Sequence, residues 1–358
     1  MKHPLPWSEA FLNGPPPDEL TRRRVLAVSP EPVPGSLHLQ RQIVCCGEAL
    51  VDLLPASDDD PHLWTARPGG SPMNVAVGIA RLGVPAAFLG GLSSDRFGRL
   101  LRSHLTGSGV DLRYVHESHR PTALAIVETR TGGEPGFTFH GEGTADRDPT
   151  PDGPPREFPD ASVGALHAGS ISLLREPGAA VIEQIMAAAR AAEVLVSLDP
   201  NVRASLAGDP ASYATRLRRW LATADLVKVS RADLAWIAPG SDPEAVAEEW
   251  IDHGPRLVVV TLGDDGAVAL DGRRRVAVEA TQVRVADTVG AGDAFTSGLL
   301  AWLHEHDALA PRELEQLDAE QLTEMLRFGA GVAALTCARR GAEPPWREEF
   351  DAASAEDQ

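Results

Sequence analysis

Asp287-Thr288-Val289-Gly290-Ala291-Gly292-Asp293-Ala294-Phe295-Thr296-Ser297-Gly298 decides how this chain is read, because two glycines and a second acid stand where a loop becomes an amphipathic helix. Gly290 and Gly292 let the backbone come close to an anion, and the amides of Ala291, Gly292 and Asp293 converge at the positive end of the helix dipole. A carboxylate placed there repels phosphate. Its use is then to accept a proton from an alcohol that attacks that phosphate, which makes the segment self-consistent as a phosphoryl-transfer site. A helix entered through a glycine-rich turn, with Asp293 as a simple cap, has the same spelling, so the rest of the chain must decide.

The 358 residues are 43% apolar, enough for one large α/β domain or one domain with an appendage. No apolar run approaches membrane-spanning length, so no membrane partner is expected. A formal charge of −18 disfavours nucleic acid or an anionic membrane as partner, yet leaves room for a local cationic pocket that holds a nucleotide. Cys45, Cys46 and Cys337 lack zinc-ligand spacing, and the first two fall in an apolar strand pattern, which suits buried thiols in a reducing compartment. The N-terminus has no basic segment followed by an apolar core and a cleavage site, so the expectation is a cytoplasmic protein.

Residues 1–40 are rich in proline and charge and read as a loosely ordered extension. Order begins with a strand at Ile43 to Leu54, a helix at Met73 to Leu82, a strand at Ala86 to Gly91 and a helix at Phe97 to Leu105. Thr122 to Glu128 and Gly136 to His140 read as a strand pair around the turn-forming Thr131-Gly132-Gly133-Glu134-Pro135. We assign them to a small β lid built from about 53–66 and 120–142. Strand and helix then alternate through Leu262, which predicts an α/β fold whose mostly parallel sheet carries helices on both faces. Sites on such sheets lie beyond the carboxyl ends of the strands, where Asp52, Asp199, Ser230 and Thr261 are expected. Residues 351–358 read as a tail.

The 287–298 segment resembles the C-terminal signature of the ribokinase-like (PfkB) sugar kinases. Pro68-Gly69-Gly70-Ser71-Pro72-Met73-Asn74 resembles their N-terminal signature, and the resemblance runs from about Ile43 to Glu349. It implies a ribokinase-like three-layer sandwich with a β lid. It also implies that Asp293 is the general base, that Gly290, Ala291, Gly292 and Asp293 form an anion hole, and that Asp52, Gly69, Gly70 and Asn74 hold the acceptor sugar. Asp199-Pro200-Asn201-Val202-Arg203 is similar to the fructokinase and 2-keto-3-deoxygluconate kinase branches; Arg203 then grips a substrate carboxylate or a phosphoryl oxygen, or merely pairs with a surface acid. Gly47 to Asp52, Thr122 to Val127 and Gly143 to Asp146 are fructokinase-like as well.

Lys228-Val229-Ser230-Arg231-Ala232-Asp233 resembles the place where relatives carry Asn-x-x-Glu. Ser230 keeps a hydrogen-bonding group and Asp233 keeps the charge on a shorter stem, which implies that magnesium is organised through water. Thr261-Leu262-Gly263-Asp264-Asp265-Gly266 is similar to the family's nucleotide loop, so Lys228, Ser230, Thr261, Gly263, Gly266 and Gly292 are the nucleotide-binding set. Gly329 to Ala338 and Arg339 to Ala342 match the region bordering adenine and a monovalent cation. Asp287 with the Val289 and Gly341 carbonyls implies a potassium-type site, although Pro345 stands where some relatives offer a serine oxygen.

The expected protein is an ATP- and Mg²⁺-dependent sugar kinase, activated by K⁺ and dimeric through its lid, acting on the primary hydroxyl of fructose. The alternatives are 2-keto-3-deoxygluconate kinase, with Arg120 or Arg130 as a second cation, and a nucleoside kinase, for which 5% aromatic residues offer little stacking. A non-catalytic sugar-binding regulator is the reading from another class. A dinucleotide-binding dehydrogenase would need Gly-x-Gly-x-x-Gly after the first strand, and Gly47-Glu48-Ala49 does not supply it.

Overall fold

The structure is a computed structural model and describes residues 41–56, 62–128, 136–148, 150, 155 and 157–356. Among them the strands run β1 (Gln42–Cys46), β2 (Leu50–Pro55), β3 (Trp64–Gly69), β4 (Ala86–Ser93), β5 (Asp111–Ser118), β6 (Ala123–Glu128), β7 (Gly136–His140), β8 (Val163–Gly169), β9 (Leu195–Asp199), β10 (Leu226–Ser230), β11 (Leu257–Thr261), β12 (Ala267–Leu270) and β13 (Arg275–Val278). The main sheet has the order β13-β12-β11-β10-β9-β8-β1-β4-β5. It is parallel except where β12 pairs antiparallel with β11 and β13.

Central strands such as Leu257-Val258-Val259-Val260 are apolar at every position because helices cover both faces. Successive side chains point to opposite faces, so Ile43, Ala165, Leu195 and Leu257 join one core while Val44, Leu166, Val196 and Val258 join the other. The first core is closed by the helices Ser71–Arg81, Ala291–Glu305 and Ala319–Cys337. These helices lie very close together. A Cβ on Gly78 would stand 2.4 Å from Ser297 Oγ, and one on Gly298 would stand 2.7 Å from Gly329 Cα. The second core gathers Ile182, Leu217 and Trp220 from the helices Gly178–Ala191 and Pro210–Leu221.

A separate four-stranded sheet, β3-β2-β6-β7, forms the lid. It packs on the body through both faces: Leu50, Ala123 and Ala125 meet Ile171, with Phe139 and Leu206 at the margin, while Val51 enters the first core with Leu53, Ala66 and Leu124 packed against it.

The architecture matches the α/β reading, with four local corrections. The apolar run 43–54 is two strands rather than one, broken at Gly47, where a Cβ would lie 2.6 Å from side-chain atoms of both Pro72 and Ser172. Asp52 therefore sits inside lid strand β2, not at the carboxyl end of a central strand, whereas Asp199, Ser230 and Thr261 do end β9, β10 and β11. The first lid segment spans Leu50 to Gly69 rather than 53–66. The helix Arg347–Glu356 runs through most of the stretch read as a tail. Residues 1–40 and the turn 129–135, with Arg130, lie outside the described residues.

Candidate active site

The helix Ala291–Glu305 begins as its spelling requires. Gly290 is its N-cap in the left-handed region, φ 77°, and a Cβ there would meet Ala342 at 2.5 Å. The Ala291 N–H donates to the Thr288 carbonyl at 3.2 Å, so among the amides assigned to the anion hole that of Ala291 is already engaged. Gly292 faces a cation: a Cβ on it would lie 2.9 Å from Lys228 Nζ.

Asp293, one residue on, is buried. The Ser71 hydroxyl donates to its Oδ1 at 2.6 Å and the Asn74 amide to its Oδ2 at 2.8 Å. Ser71 and Asn74 stand three residues apart on one face of the helix that packs against the helix Ala291–Glu305, which explains why both reach the same carboxylate. Burial raises the Asp293 pKa; the Ser71 and Asn74 hydrogen bonds offset part of this, Asp199 adds to it and Lys228 opposes it. A carboxylate held this way keeps a proton affinity above that of a surface aspartate, which suits a base.

Lys228 is buried on β10, and its Nζ donates to Asp199 Oδ2 at 3.0 Å. Burial works against its charge, but the Asp199 and Asp233 carboxylates outweigh it and hold its pKa above the usual lysine value. The other oxygen of Asp199 accepts the Asn201 N–H at 3.1 Å. On the neighbouring strand His167 is kept neutral, its pKa pushed down to about 3 by burial and by Lys228.

Of the residues assigned to the acceptor sugar, Asp52 and Gly69 lie on the lid strands and Gly70 directly follows them. A Cβ on Gly69 would lie 2.3 Å from Asp52 Oδ2, and one on Gly70 would strike the Glu48 carbonyl oxygen at 2.6 Å, so both glycines serve close approach. Burial raises the Asp52 pKa to about 7; Arg203 pulls it down and Asp293 pushes it up. Arg203 Nη1 donates to Asn201 Oδ1 at 2.5 Å, and among the described residues no carboxylate forms an ion pair with it. Arg120, the other candidate cation that can be seen, instead pairs with Asp148 at 3.6 Å.

Ser230 and Asp233 have a structural task that the sequence reading left out. They form the capping box of the helix Arg231–Ile237, with the Asp233 N–H donating to Ser230 Oγ at 3.0 Å and Asp233 Oδ2 accepting the Ser230 N–H at 3.1 Å. Asp233 Oδ1 accepts the Val202 N–H at 2.9 Å, fastening the loop that carries Arg203. Direct metal ligation by Asp233 does not fit this arrangement. Among the described residues no group of three or more His, Cys, Asp or Glu side chains could hold a metal ion.

Of the residues assigned to the nucleotide, Thr261 ends β11, and Gly263 opens the short turn Gly263–Asp265 that Gly266 closes. The assigned cation residues do meet. Asp287 accepts the Val289 N–H at 3.1 Å through Oδ1 and the Gly341 N–H at 2.9 Å through Oδ2. Cys337 links the two features: its carbonyl accepts the Ala286 and Asp287 amides, and its thiol pKa is raised by burial and by Asp287 and Asp264.

The profile of the pfkB family carbohydrate kinase matches residues 40–349. The chain belongs to this family. A fructokinase of Rhizobium leguminosarum bv. trifolii is 38% identical over 283 residues, which cover 78% of this chain and 85% of that one. Among solved structures, fructokinase with bound ATP from Xylella fastidiosa superposes with a TM-score of 0.79 at 31% identity, covering 89% of this chain and 100% of that one. A fructokinase double mutant from Vibrio cholerae O395, bound to fructose, ADP and potassium ion, gives 0.76 at 30% identity over 87% and 98%. The protein is thus a fructokinase-like pfkB sugar kinase, a phosphotransferase acting on an alcohol group.

Within the pfkB framework, sequence reasoning missed two residues. Ser71 shares the signature with Asn74, and its spacing from Asn74 was the available signal. Glu48 accepts the Ser71 N–H at 3.3 Å and the Ser172 N–H at 3.2 Å, tying together three segments from within the Gly47 to Asp52 stretch, where its own role was not read.

Proposed function

We propose that the protein transfers the γ-phosphate of ATP to the primary 6-hydroxyl of fructose. The observation that carries this is Asp293, buried, oriented by Ser71 and Asn74 and one residue from a glycine that faces Lys228. Asp293 takes the hydroxyl proton as the sugar oxygen bonds to the γ-phosphorus, and the bond from that phosphorus to the bridging oxygen breaks to release ADP. Base catalysis of this kind contributes ~10²–10⁴ in rate. The Gly292 and Asp293 amides with the Lys228 ammonium stabilise charge on the transferring group, and this electrostatic positioning supplies most of the acceleration.

Asp52 accepts hydrogen bonds from sugar hydroxyls, with Gly69 and Gly70 giving the backbone close approach and Asn74 a second polar group. Thr261, Gly263 and Gly266 border the nucleotide, with Ser230 beside them. Mg²⁺ on the nucleotide would screen the phosphates and would be held through water, since the Asp233 oxygens are occupied by amides. Both Asp287 oxygens likewise accept amides, so a K⁺ there would rest mainly on the Val289 and Gly341 carbonyls. The lid shields the reacting groups from water and pairs with a second copy as a homodimer. We place the reaction in the cytoplasm.

A 2-keto acid substrate is not favoured, because Arg203 is held by Asn201 and the visible second cation, Arg120, is engaged with Asp148. The test is ADP release with Mg-ATP and K⁺ against fructose, 2-keto-3-deoxygluconate, ribose and adenosine. Turnover on fructose above the others supports the assignment; preference for the keto acid reassigns Arg203, and sugar binding without turnover points to a regulator.

A further inference from the structure

We propose that Arg81 is a positioning residue for the nucleotide and cation side of the site, holding the 341–346 segment from the far end of the helix whose first turn orients the catalytic base. The inference rests on the proposed reading of Asp287, Gly290 and Gly341 as that side.

The helix Ser71–Arg81 has 11 residues and so spans about 16 Å. At its start Ser71 and Asn74 hold Asp293; at its end Arg81, with a side chain 10% exposed, makes an ion pair with Glu343 at 2.8 Å. The same guanidinium nitrogen donates to the Pro344 carbonyl at 2.9 Å, and Nε donates to Ser108 Oγ at 3.2 Å. The guanidinium also lies over the Trp346 ring, 5.3 Å from its centroid. Three of these four partners belong to one short segment.

That segment has no helix or strand of its own between Cys337 and Arg347, so external contacts must set its shape. Its inner end is where the site needs it. Gly341 donates to Asp287, Ala342 packs against Gly290 at the start of the catalytic helix, and the Glu343 N–H donates to the Gly341 carbonyl at 2.9 Å. The planar fork of Arg81 satisfies an acid, a carbonyl, a hydroxyl and an aromatic face together, which a lysine point charge cannot do. Loss of Arg81 frees residues 343–346, and the slack reaches Gly341 and Ala342 before it reaches anything on the sugar side. Among the described residues no hydrogen bond or ion pair is seen between the segment and Asp52, Gly69 or Arg203.

The experiment compares wild type, Arg81→Met, Arg81→Lys and Glu343→Gln. ATP binding is read by calorimetry, and KM for ATP, KM for sugar, half-saturating K⁺ and Tm are measured in parallel. Arg81→Met is expected to weaken ATP binding and K⁺ activation roughly 3- to 30-fold, the range seen when a coupling contact is removed. Sugar KM should stay within twofold, and Arg81→Lys and Glu343→Gln should fall between Arg81→Met and wild type. A lower Tm with unchanged ATP and K⁺ constants, or equal increases in both KM values, overturns the proposal, because either pattern describes a structural residue only. A wild type that binds no ATP sinks the functional reading and this inference together. ATP bound equally by wild type and Arg81→Met sinks the inference alone.

Discussion

Asp293→Asn is the substitution that isolates the base from everything else in the site. The new amide has the shape of the carboxylate. Its oxygen can accept from Asn74 Nδ2, now at 2.8 Å from the acid, and its NH₂ can donate to the Ser71 hydroxyl, which turns to accept. Lys228, the helix amides and the sugar contacts remain. What disappears is proton acceptance, so kcat should fall by ~10²–10⁴, equivalent to about 2.7–5.5 kcal/mol of barrier, while both substrates still bind. Coupled ADP release gives kcat, and calorimetry gives the affinities. The pH dependence adds a check on sign. Because burial raises the Asp293 pKa, wild-type kcat should decline on acidification at a higher pH than an ordinary aspartate would produce, and the residual kcat of the variant should lack that decline. A variant that binds sugar and ATP and keeps kcat within tenfold of wild type would refute the assignment of Asp293 as base.

Asp52 gives a stability test. Its folded pKa of about 7 lies above the unfolded value of about 3.9, so the stability it contributes is full below that lower value and is lost as pH rises through about 7. Asp52→Asn should therefore gain in urea midpoint relative to wild type between pH 4 and 8, and parallel midpoint curves would show the shift to be wrong. Cys337 gives a test of the nucleotide side, since Cys45 and Cys46 are buried and Cys337 is only partly so. One thiol should react in the native protein, faster at alkaline pH because its pKa is raised, and ATP should slow the labelling; an unchanged rate with ATP would place the nucleotide elsewhere.

The fold was legible because short, nearly continuous apolar runs alternate with amphipathic segments of period 3.6, and the proposed base was legible because Gly290 to Asp293 is a local pattern. The errors came from contacts distant in sequence. Nothing in the run Ile43 to Leu54 announces a break, since β1 and β2 are both apolar; Pro72 and Ser172 impose it at Gly47 from other parts of the chain. β5 was overlooked because Asp111-Leu112-Arg113-Tyr114-Val115-His116-Glu117-Ser118 is polar at most positions, as a sheet edge permits. Ser230 and Asp233 are a different kind of miss. Ser-x-x-Asp after a strand is a helix-start signal readable from sequence, but likeness to a metal-associated motif drew attention away from it.

The proposed site draws its groups from two sheets that are packed differently. Asp293 and its two donors sit on helices pressed together at Gly78 and Gly298, where even a methyl group has no room, so the base and its orientation belong to the rigid body. Asp52 and Gly69 ride on the smaller sheet, which meets the body through Leu50, Ala123 and Ala125 on Ile171 and through Val51, Leu53, Ala66 and Leu124 at the first core. On the proposed reading the sugar is gripped from the smaller sheet and deprotonated from the body. A lid that swings away takes Asp52 from the neighbourhood of Asp293 and Arg203, so hydroxyl and base meet only when the acceptor site is closed. Water entering an open site meets the same base without the lid-borne contacts that hold an attacking oxygen in line, which limits ATP hydrolysis in the absence of sugar.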